Sequence, residues 1–400
     1  MLPDPQPEIF SAEWVSDSNL SATRSSNPEI PGLNALALRS LVYLFSEREN
    51  LFCRSVALRG NTLVRGESSP KRTAIALLGL RRLAESGANS SFDVRSMHDA
   101  VLGNTSWVKS LGELGLLTWL TAECEPARLR SLFRQFDFDK ALVTYLEGRE
   151  ARTSHLAWFL AGVSHARMAS LGTVPDLTDV AVDAYHLLLE SQSEGGIFGR
   201  AAFPGWLRRV YRRFGTFADQ IFSIYALSIF GKAFHIEEPL TPALNCANSI
   251  RSLQGDQGEW WFLYDKRSCR VVNRYPVFSW HQDGTAPVGL LALGEVTGQN
   301  FNEPIYKGLS RGKASIGTGP AFQGHQQYLT WDFIQPARKS AKYWEAAFSL
   351  ANISRGMQKE QFFIRYEARP DHFGWILYAF GRAGLPKSET LARAMTSGSE

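Results

Sequence analysis

Little in this chain speaks for a metal, a membrane or a nucleotide. Among 400 residues there are four cysteines, Cys53, Cys124, Cys246 and Cys269. They are scattered, with no C-x-x-C pair and no histidine at zinc spacing, so no metal site is expected. The amino terminus, MLPDPQPEIFSAEW, lacks the basic segment and apolar run of a secretory leader. Dispersed thiols without that leader lead to the expectation of a cytoplasmic protein. Long apolar runs are missing too: the best, IFSIYALSIFG, is short for a bilayer and broken by serine. A net charge of +4 is too small to argue for nucleic acid. There is no P-loop, no dinucleotide glycine fingerprint after a strand and no Gly-x-Ser-x-Gly elbow, so no cofactor is expected.

Aromatics are what the chain has in quantity. Eleven Trp and 25 Phe stand against only five Met. Such rings either fill a large core or line a pocket for a sugar ring or a cation. The length allows one large domain or two average ones. Residues 1–35, rich in Pro, Ser, Asn and acids, read as an extended arm. Residues 36–390 read as one domain and 391–400 as a flexible tail.

Within that domain a theme repeats. Five segments run from a polar start into an apolar helix of small residues, anchored at Gly79, Ala161, Ala226, Ala292 and Ala379. A sixth candidate, NTSWVKSLGELGLLTWL, lies between the first two. Second helices such as AVDAYHLLLESQSEGGIFG and NCANSIRSLQGDQGEWW end in Gln, a glycine-bearing turn and an aromatic. Strand signals are few; RVVNRYPVF and QFFIRYEA suit small hairpins in loops. A helix apolar on most faces must be buried on most faces. The arrangement this implies is all-α: an inner ring of small-residue helices wrapped by an outer, more amphipathic ring.

The turns also carry a resemblance. SLQGDQGEWWFLYD, with Gln254, Gly258 and Trp260, resembles the Gln–Trp motif of squalene/hopene cyclases, and SQSEGGIFG, with Gln192, Gly196 and Phe198, resembles it more loosely. The resemblance implies the (α/α)6 toroid of helical hairpins that those enzymes share with protein prenyltransferase β-subunits. It also implies an acid: HQDGTA keeps Asp283, Thr285 and Ala286 of the class II cyclase motif, with His281 and Gly284 in place of its outer aspartates. Asp283 would then protonate an isoprenoid, His281 would tune it, and aromatics would stabilise carbocations. YEARPDHFGWILYAFGRAG resembles the zinc-binding stretch of the prenyltransferases, with Gly374 where a His ligand would stand. The Cys–His pair of lanthipeptide cyclases is missing, so no zinc is implied.

A ring of parallel inner helices would bring its polar starts to one mouth: Arg72, Ser154 with His155, Asp219 with Gln220, His281 with Asp283, and Asp371 with His372. Helix N-termini there favour bound anions. Each residue also has a plainer reading, since Asp219 and Asp371 suit N-caps or first turns and His372 suits a loop carbonyl. A second function fits the same mouth: acid and base work on a saccharide by Asp219, Asp283 and Asp371, with Trp206, Trp260, Trp261, Tyr275, Trp280 and Tyr366 stacking on sugar and Arg369 and His372 contacting it. A third is a non-catalytic binding scaffold. The substrate is expected to be a small molecule, isoprenoid or saccharide. The stretch GWLRRVYRRFG places four arginines between Arg208 and Arg213, with a diphosphate, an acidic sugar, a peripheral membrane contact or simple solvation as its readings.

Overall fold

A computed structural model describes residues 30–59, 62–148, 152–170, 177–200, 212–277, 280–315, 333–336, 362–365 and 367–386. The inner helices are those whose middle turns are apolar and rich in small residues. They are α2 (Pro70–Ala84), α4 (Leu111–Cys124), α7 (Thr153–Ser170), α9 (Phe217–Phe234), α11 (Ala286–Thr297) and α13 (Pro370–Phe380). In α9 every residue from Asp219 to Gly231 is buried, as is every residue from Leu156 to Ala166 in α7. The helices that alternate with them in the chain are amphipathic: α1 (Ile30–Leu44), α3 (Val94–Gly103), α6 (Phe138–Glu147), α8 (Thr178–Glu190), α10 (Leu240–Ser252) and α12 (Asn302–Ser315), with the short α5 (Leu129–Gln135) before α6. Thus α10 buries only Ala243, Cys246, Ala247 and Ile250, a single stripe at helical spacing. Burial sorts the helices into a core ring and a wrapping ring, which is the (α/α)6 toroid. Helix α1 starts at Ile30 and buries Leu33, Asn34 and Ala35, inside the segment expected as an arm; residues 1–29 and the tail 391–400 lie outside the described residues.

Contacts between first turns show that the inner helices are parallel. Lys71 pairs with Glu113 across α2 and α4 at 3.0 Å, and Asp219 of α9 accepts from the Ser154 amide of α7 at 2.9 Å. Arg72 of α2 meets Asp371 of α13 at 2.9 Å, closing the ring. The far ends are tied in the same order. Arg82 meets Glu123 at 3.3 Å, the Arg167 guanidinium donates to the Ala233 carbonyl, and Lys232 meets Glu295 at 2.6 Å. Close approach of the helices explains their small residues. A Cβ on Gly79 would stand 2.3 Å from the Gly374 carbonyl oxygen, so α2 and α13 touch backbone to backbone. Ala292 and Ala379, expected as anchors of this kind, are only half-buried.

The two faces of the ring differ in elaboration. Connections leaving inner helices are short, as from Phe234 to Leu240 or Thr297 to Asn302. Connections entering inner helices carry the strands. Between α1 and α2 lie β1 (Phe45–Ser46), β2 (Leu51–Phe52), β3 (Val56–Arg59) and β4 (Thr62–Arg65). Ahead of α9 comes β5 (Phe214–Thr216), which pairs with the hairpin of β6 (Trp261–Asp265) and β7 (Arg270–Pro276) in the next such connection. Ahead of α13 come β8 (Phe333–Pro336), β9 (Phe362–Arg365) and β10 (Glu367–Ala368), the last pairing with β3.

The two Gln-bearing turns have one geometry. The Gln192 amide donates to the Gly196 carbonyl at 2.9 Å and to that of Pro242 at 2.8 Å; Gln254 does the same to Gly258 at 3.1 Å and Pro304 at 3.0 Å. Each Gln therefore closes its own turn and ties it to the first turn of the next outer helix. The glycines have φ of +85° and +90°, where side chains are strained, and a Cβ on Gly258 would press on the Lys307 carbonyl at 2.1 Å. The aromatics Phe198 and Trp260 that follow are fully buried. This is a packing device between hairpins.

Candidate functional site

The first turns of the inner helices bring polar and charged groups to one mouth, and three of those helices carry side-chain caps there. Ser69, Ser110 and Thr216 cap α2, α4 and α9, and Thr216 with Asp219 forms a reciprocal capping box. Asp219 accepts from the Thr216 amide and hydroxyl as well as from Ser154, so its carboxylate is fully used in holding α7 to α9. Among the expected acids it has the structural role.

Asp283 is different. It lies in a π-helical turn, Trp280–Thr285, that leads into α11. Such turns widen the helix and recur at functional sites. Its side chain is 4% exposed, Oδ2 is 3.7 Å from Nε2 of His372, and Oδ1 has no hydrogen-bond partner among the described residues. Gly284 lets this turn lie against α13: a Cβ there would stand 2.7 Å from the Trp375 Cβ and 3.2 Å from the Ile376 nitrogen. An aspartate cannot occupy that position, which removes the physical basis for reading HQDGTA as a degenerate multi-aspartate motif. Gly374 is closed in the same way by Ile75 and Ala76, so no ligand side chain fits there either.

Below the rim the axis is filled with rings. Trp158 lies nearest the mouth, with the Lys71 ammonium 5.6 Å from its centroid and the His155 ring stacked 6.4 Å away. Phe222 at 5.1 Å and Trp375 at 6.3 Å lie against it, and Trp119 lies 5.7 Å beyond Trp375. The indole nitrogens of Trp158 and Trp375 have no acceptor among the described residues, although both residues are buried. His155 is held neutral: burial, then the neighbouring Lys71 and Arg152, lower its pKa to about 4. Burial opposes ionisation of Glu113, but the Lys109 amide and Lys71 outweigh it and hold its carboxyl below the usual range.

At the other end of the axis sits a buried polar network. Tyr378 donates to Glu123 at 2.6 Å and receives from Arg82 at 2.7 Å; Trp119 donates to the same Glu123 oxygen at 2.9 Å. The hydroxyls of Tyr225 and Tyr378 are 2.8 Å apart, and Tyr225 lies 2.8 Å from His165. These groups bond to one another and fill that end of the ring.

The remaining expected residues divide plainly. Asp371 is in the first turn of α13, paired with Arg72, next to His372. Arg369 pairs with Glu367 at 3.1 Å. Trp260 is a core residue against Phe217 at 5.5 Å and cannot meet a substrate; Trp261 donates its indole hydrogen to the Leu253 carbonyl at 2.8 Å. Trp206, Tyr366 and residues 208–211 lie outside the described residues, as do the side chains of Tyr275, Trp280 and His281. Asp283 is thus brought to His372, whose chain neighbour Asp371 pairs with Arg72. Lys71, Glu113, Trp158, Phe222 and Trp375 were missed. Lys71 and Glu113 stand in polar helix starts, a signal that could have found them. The rings look like core in any sequence. Among the described residues no cluster of His, Cys, Asp and Glu could hold a metal ion, and no helix is long and apolar enough to cross a membrane.

No protein family matches the chain, and neither does any curated protein. Solved structures do. It is similar to a mutant unsaturated glucuronyl hydrolase of Streptococcus agalactiae complexed with dGlcA-GalNAc6S, at TM-score 0.57 and 11% identity over 94% of this chain and 98% of that one. It is similar to the cellobiose 2-epimerase of Bacillus thermoamylovorans B4167, at TM-score 0.56 and 9% identity over 88% and 99% of the two chains. A possible GH105 member from Salmonella enterica matches at TM-score 0.54 and 9% identity over 91% and 95%. At these identities what is shared is the fold. The neighbours are glycoside-active toroids, not squalene/hopene cyclases or prenyltransferases, and they overturn both the family resemblance and the isoprenoid-cyclase reading drawn from it. The resemblance rested on the Gln-bearing turns, which record how hairpins stack rather than what the mouth does.

Proposed function

We propose that this chain is a carbohydrate-active enzyme that processes a saccharide by acid–base chemistry at the mouth of the toroid. The supporting observation is an aromatic cluster with polar atoms that have no partner among the described residues: Oδ1 of Asp283 and the indole N–H groups of Trp158 and Trp375. A sugar is the complement of such a surface, with C–H faces for the rings and hydroxyls for the lone donors and acceptor. Burying those atoms with no partner costs about 1–3 kcal/mol each. A ligand that hydrogen-bonds them recovers that cost.

Asp283 is the residue to which we assign proton transfer, with His372 facing its other oxygen. Asp371, held by Arg72, is the second carboxyl group that hydrolysis of a glycoside uses. Hydrolysis and epimerisation are the activities named for the solved structures above, and both need a positioned acid or base. The test is a panel of neutral and acidic oligosaccharides followed by chromatography of the products. Wild type should convert at least one of them, and Asp283→Asn should slow that conversion by roughly 10²–10⁴-fold. Equal rates in the two proteins would refute the assignment of Asp283.

A further inference from the structure

The basic stretch noted in the sequence ends in Arg212 and Arg213, and the fold gives these two a setting the mouth chemistry does not use. They precede β5 and meet the β6–β7 turn, Lys266–Cys269, across a surface groove of about 530 Å³. Arg212, Arg213, Lys266 and Arg267 all line it; Glu194 is the acid in the lining. Asp265 beneath them is spent on Arg213, whose two nitrogens approach at 2.9 and 2.6 Å, and on the Arg267 amide and Ser268 hydroxyl. Lys266 donates to the Glu190 carbonyl at 3.1 Å. Among the described residues none of Arg212, Lys266 and Arg267 makes an ion pair; three cations face the one lining acid, Glu194, with Glu190 also acting on Lys266. Burial, and then Arg212 itself, lower the pKa of Lys266. Gathering like charges in this way costs free energy unless an anion is bound.

The cations are also held in place. The Lys266 amide donates to the Arg213 carbonyl at 2.7 Å, and β5 pairs with β6 from Phe214 to Thr216. Gly199 lies so close that a Cβ there would meet the Arg212 carbonyl at 2.0 Å and the Lys266 side chain at 3.0 Å. The backbone that carries these side chains is thus set before a ligand arrives, and Lys266 is the cation whose ammonium is also anchored. The groove is on the elaborated face of the ring, three residues before the capping box that opens α9.

We infer that this groove is an anion subsite for a saccharide bearing sulfate or carboxylate groups. The inference rests on the saccharide reading of the mouth and narrows it to acidic chains, whose charged groups Arg212, Lys266 and Arg267 receive at the rim. Its test is binding, measured by calorimetry in the Asp283→Asn background so that turnover plays no part. The probes are a sulfated uronic-acid hexasaccharide, a neutral hexasaccharide and vesicles rich in phosphatidylserine. Replacing Arg212, Lys266 and Arg267 together by Gln should weaken the sulfated probe about tenfold or more, from the loss of ~1.4 kcal/mol. Binding of the sulfated probe should also weaken with added salt, and thermal unfolding should be unchanged in the triple variant. Equal affinity for the sulfated probe in both proteins would overturn the inference, as would cation-dependent binding confined to the vesicles. A loss of conversion in Asp283→Asn with acidic-probe binding intact would leave the subsite standing apart from the catalytic assignment.

Discussion

His165 gives a sharp prediction about acid stability. Its imidazole is fully buried in the axial network, and burial, with the nearby Arg82 and Lys232, lowers its pKa from 6.5 to about 4 against the attraction of Glu123. Unfolded, the same side chain takes up a proton below pH 6.5. Between pH 6.5 and 4 the unfolded state therefore binds more protons, and stability falls as pH falls through that window. At 1.36 kcal/mol per unit over the shift, the loss approaches about 3 kcal/mol by pH 4. Above pH 6.5 both states are neutral and this contribution vanishes. The assay is urea unfolding at pH 7, 5.5 and 4.5 for wild type and His165→Gln, whose amide can still meet the Tyr225 hydroxyl. Wild type should lose stability more steeply, with the difference growing toward pH 4.5. Parallel curves would refute the reasoning, because every other titrating group is common to both proteins.

Other outcomes follow from the same contacts. Gln254→Ala removes one bond that closes its turn and one that ties the turn to α12, and should lower stability by about 1–3 kcal/mol in urea unfolding, with Gln192→Ala behaving alike. Gly284→Ala forces a methyl against the Trp375 Cβ and should cost about 1–3 kcal/mol while displacing Asp283, so melting temperature and activity should fall together. Arg72→Gln breaks the closing ion pair with Asp371 and should reduce turnover more than stability, read as kcat against urea midpoint. Trp158→Ala should weaken saccharide binding about tenfold by calorimetry, since it removes the ring nearest the mouth.

The fold was legible because burial leaves a local trace. Helices apolar on all sides, such as α7 and α9, alternate along the chain with striped ones such as α10, and only nested rings bury both kinds. The mouth was legible in part because polar residues, Arg72, His155, Asp219, Asp283 and Asp371, stand at or just ahead of the starts of apolar helices. What a chain cannot reveal is which starts face one another. Asp219 and Asp283 look equivalent in sequence, yet one is spent on capping bonds and the other has an oxygen without a partner among the described residues. Trp260 was expected as a sugar platform and is core, while Trp158, which the sequence did not single out, lies under the Lys71 ammonium. The reading of the chemistry failed where a repeat-stacking turn was taken for a mark of function. The six-residue turn around Asp283 has its glycine for packing on α13, a contact between distant parts of the chain that only the folded ring brings together.

The central claim is that Asp283, His372 and the Trp158 floor form one saccharide site. A crystal structure of the Asp283→Asn protein with an oligosaccharide that wild type converts tests it most directly. The account predicts a sugar hydroxyl or glycosidic oxygen within hydrogen-bond distance of the residue 283 side chain, with a pyranose against Trp158. A saccharide bound elsewhere on the ring, leaving that turn and Trp158 untouched, would contradict it.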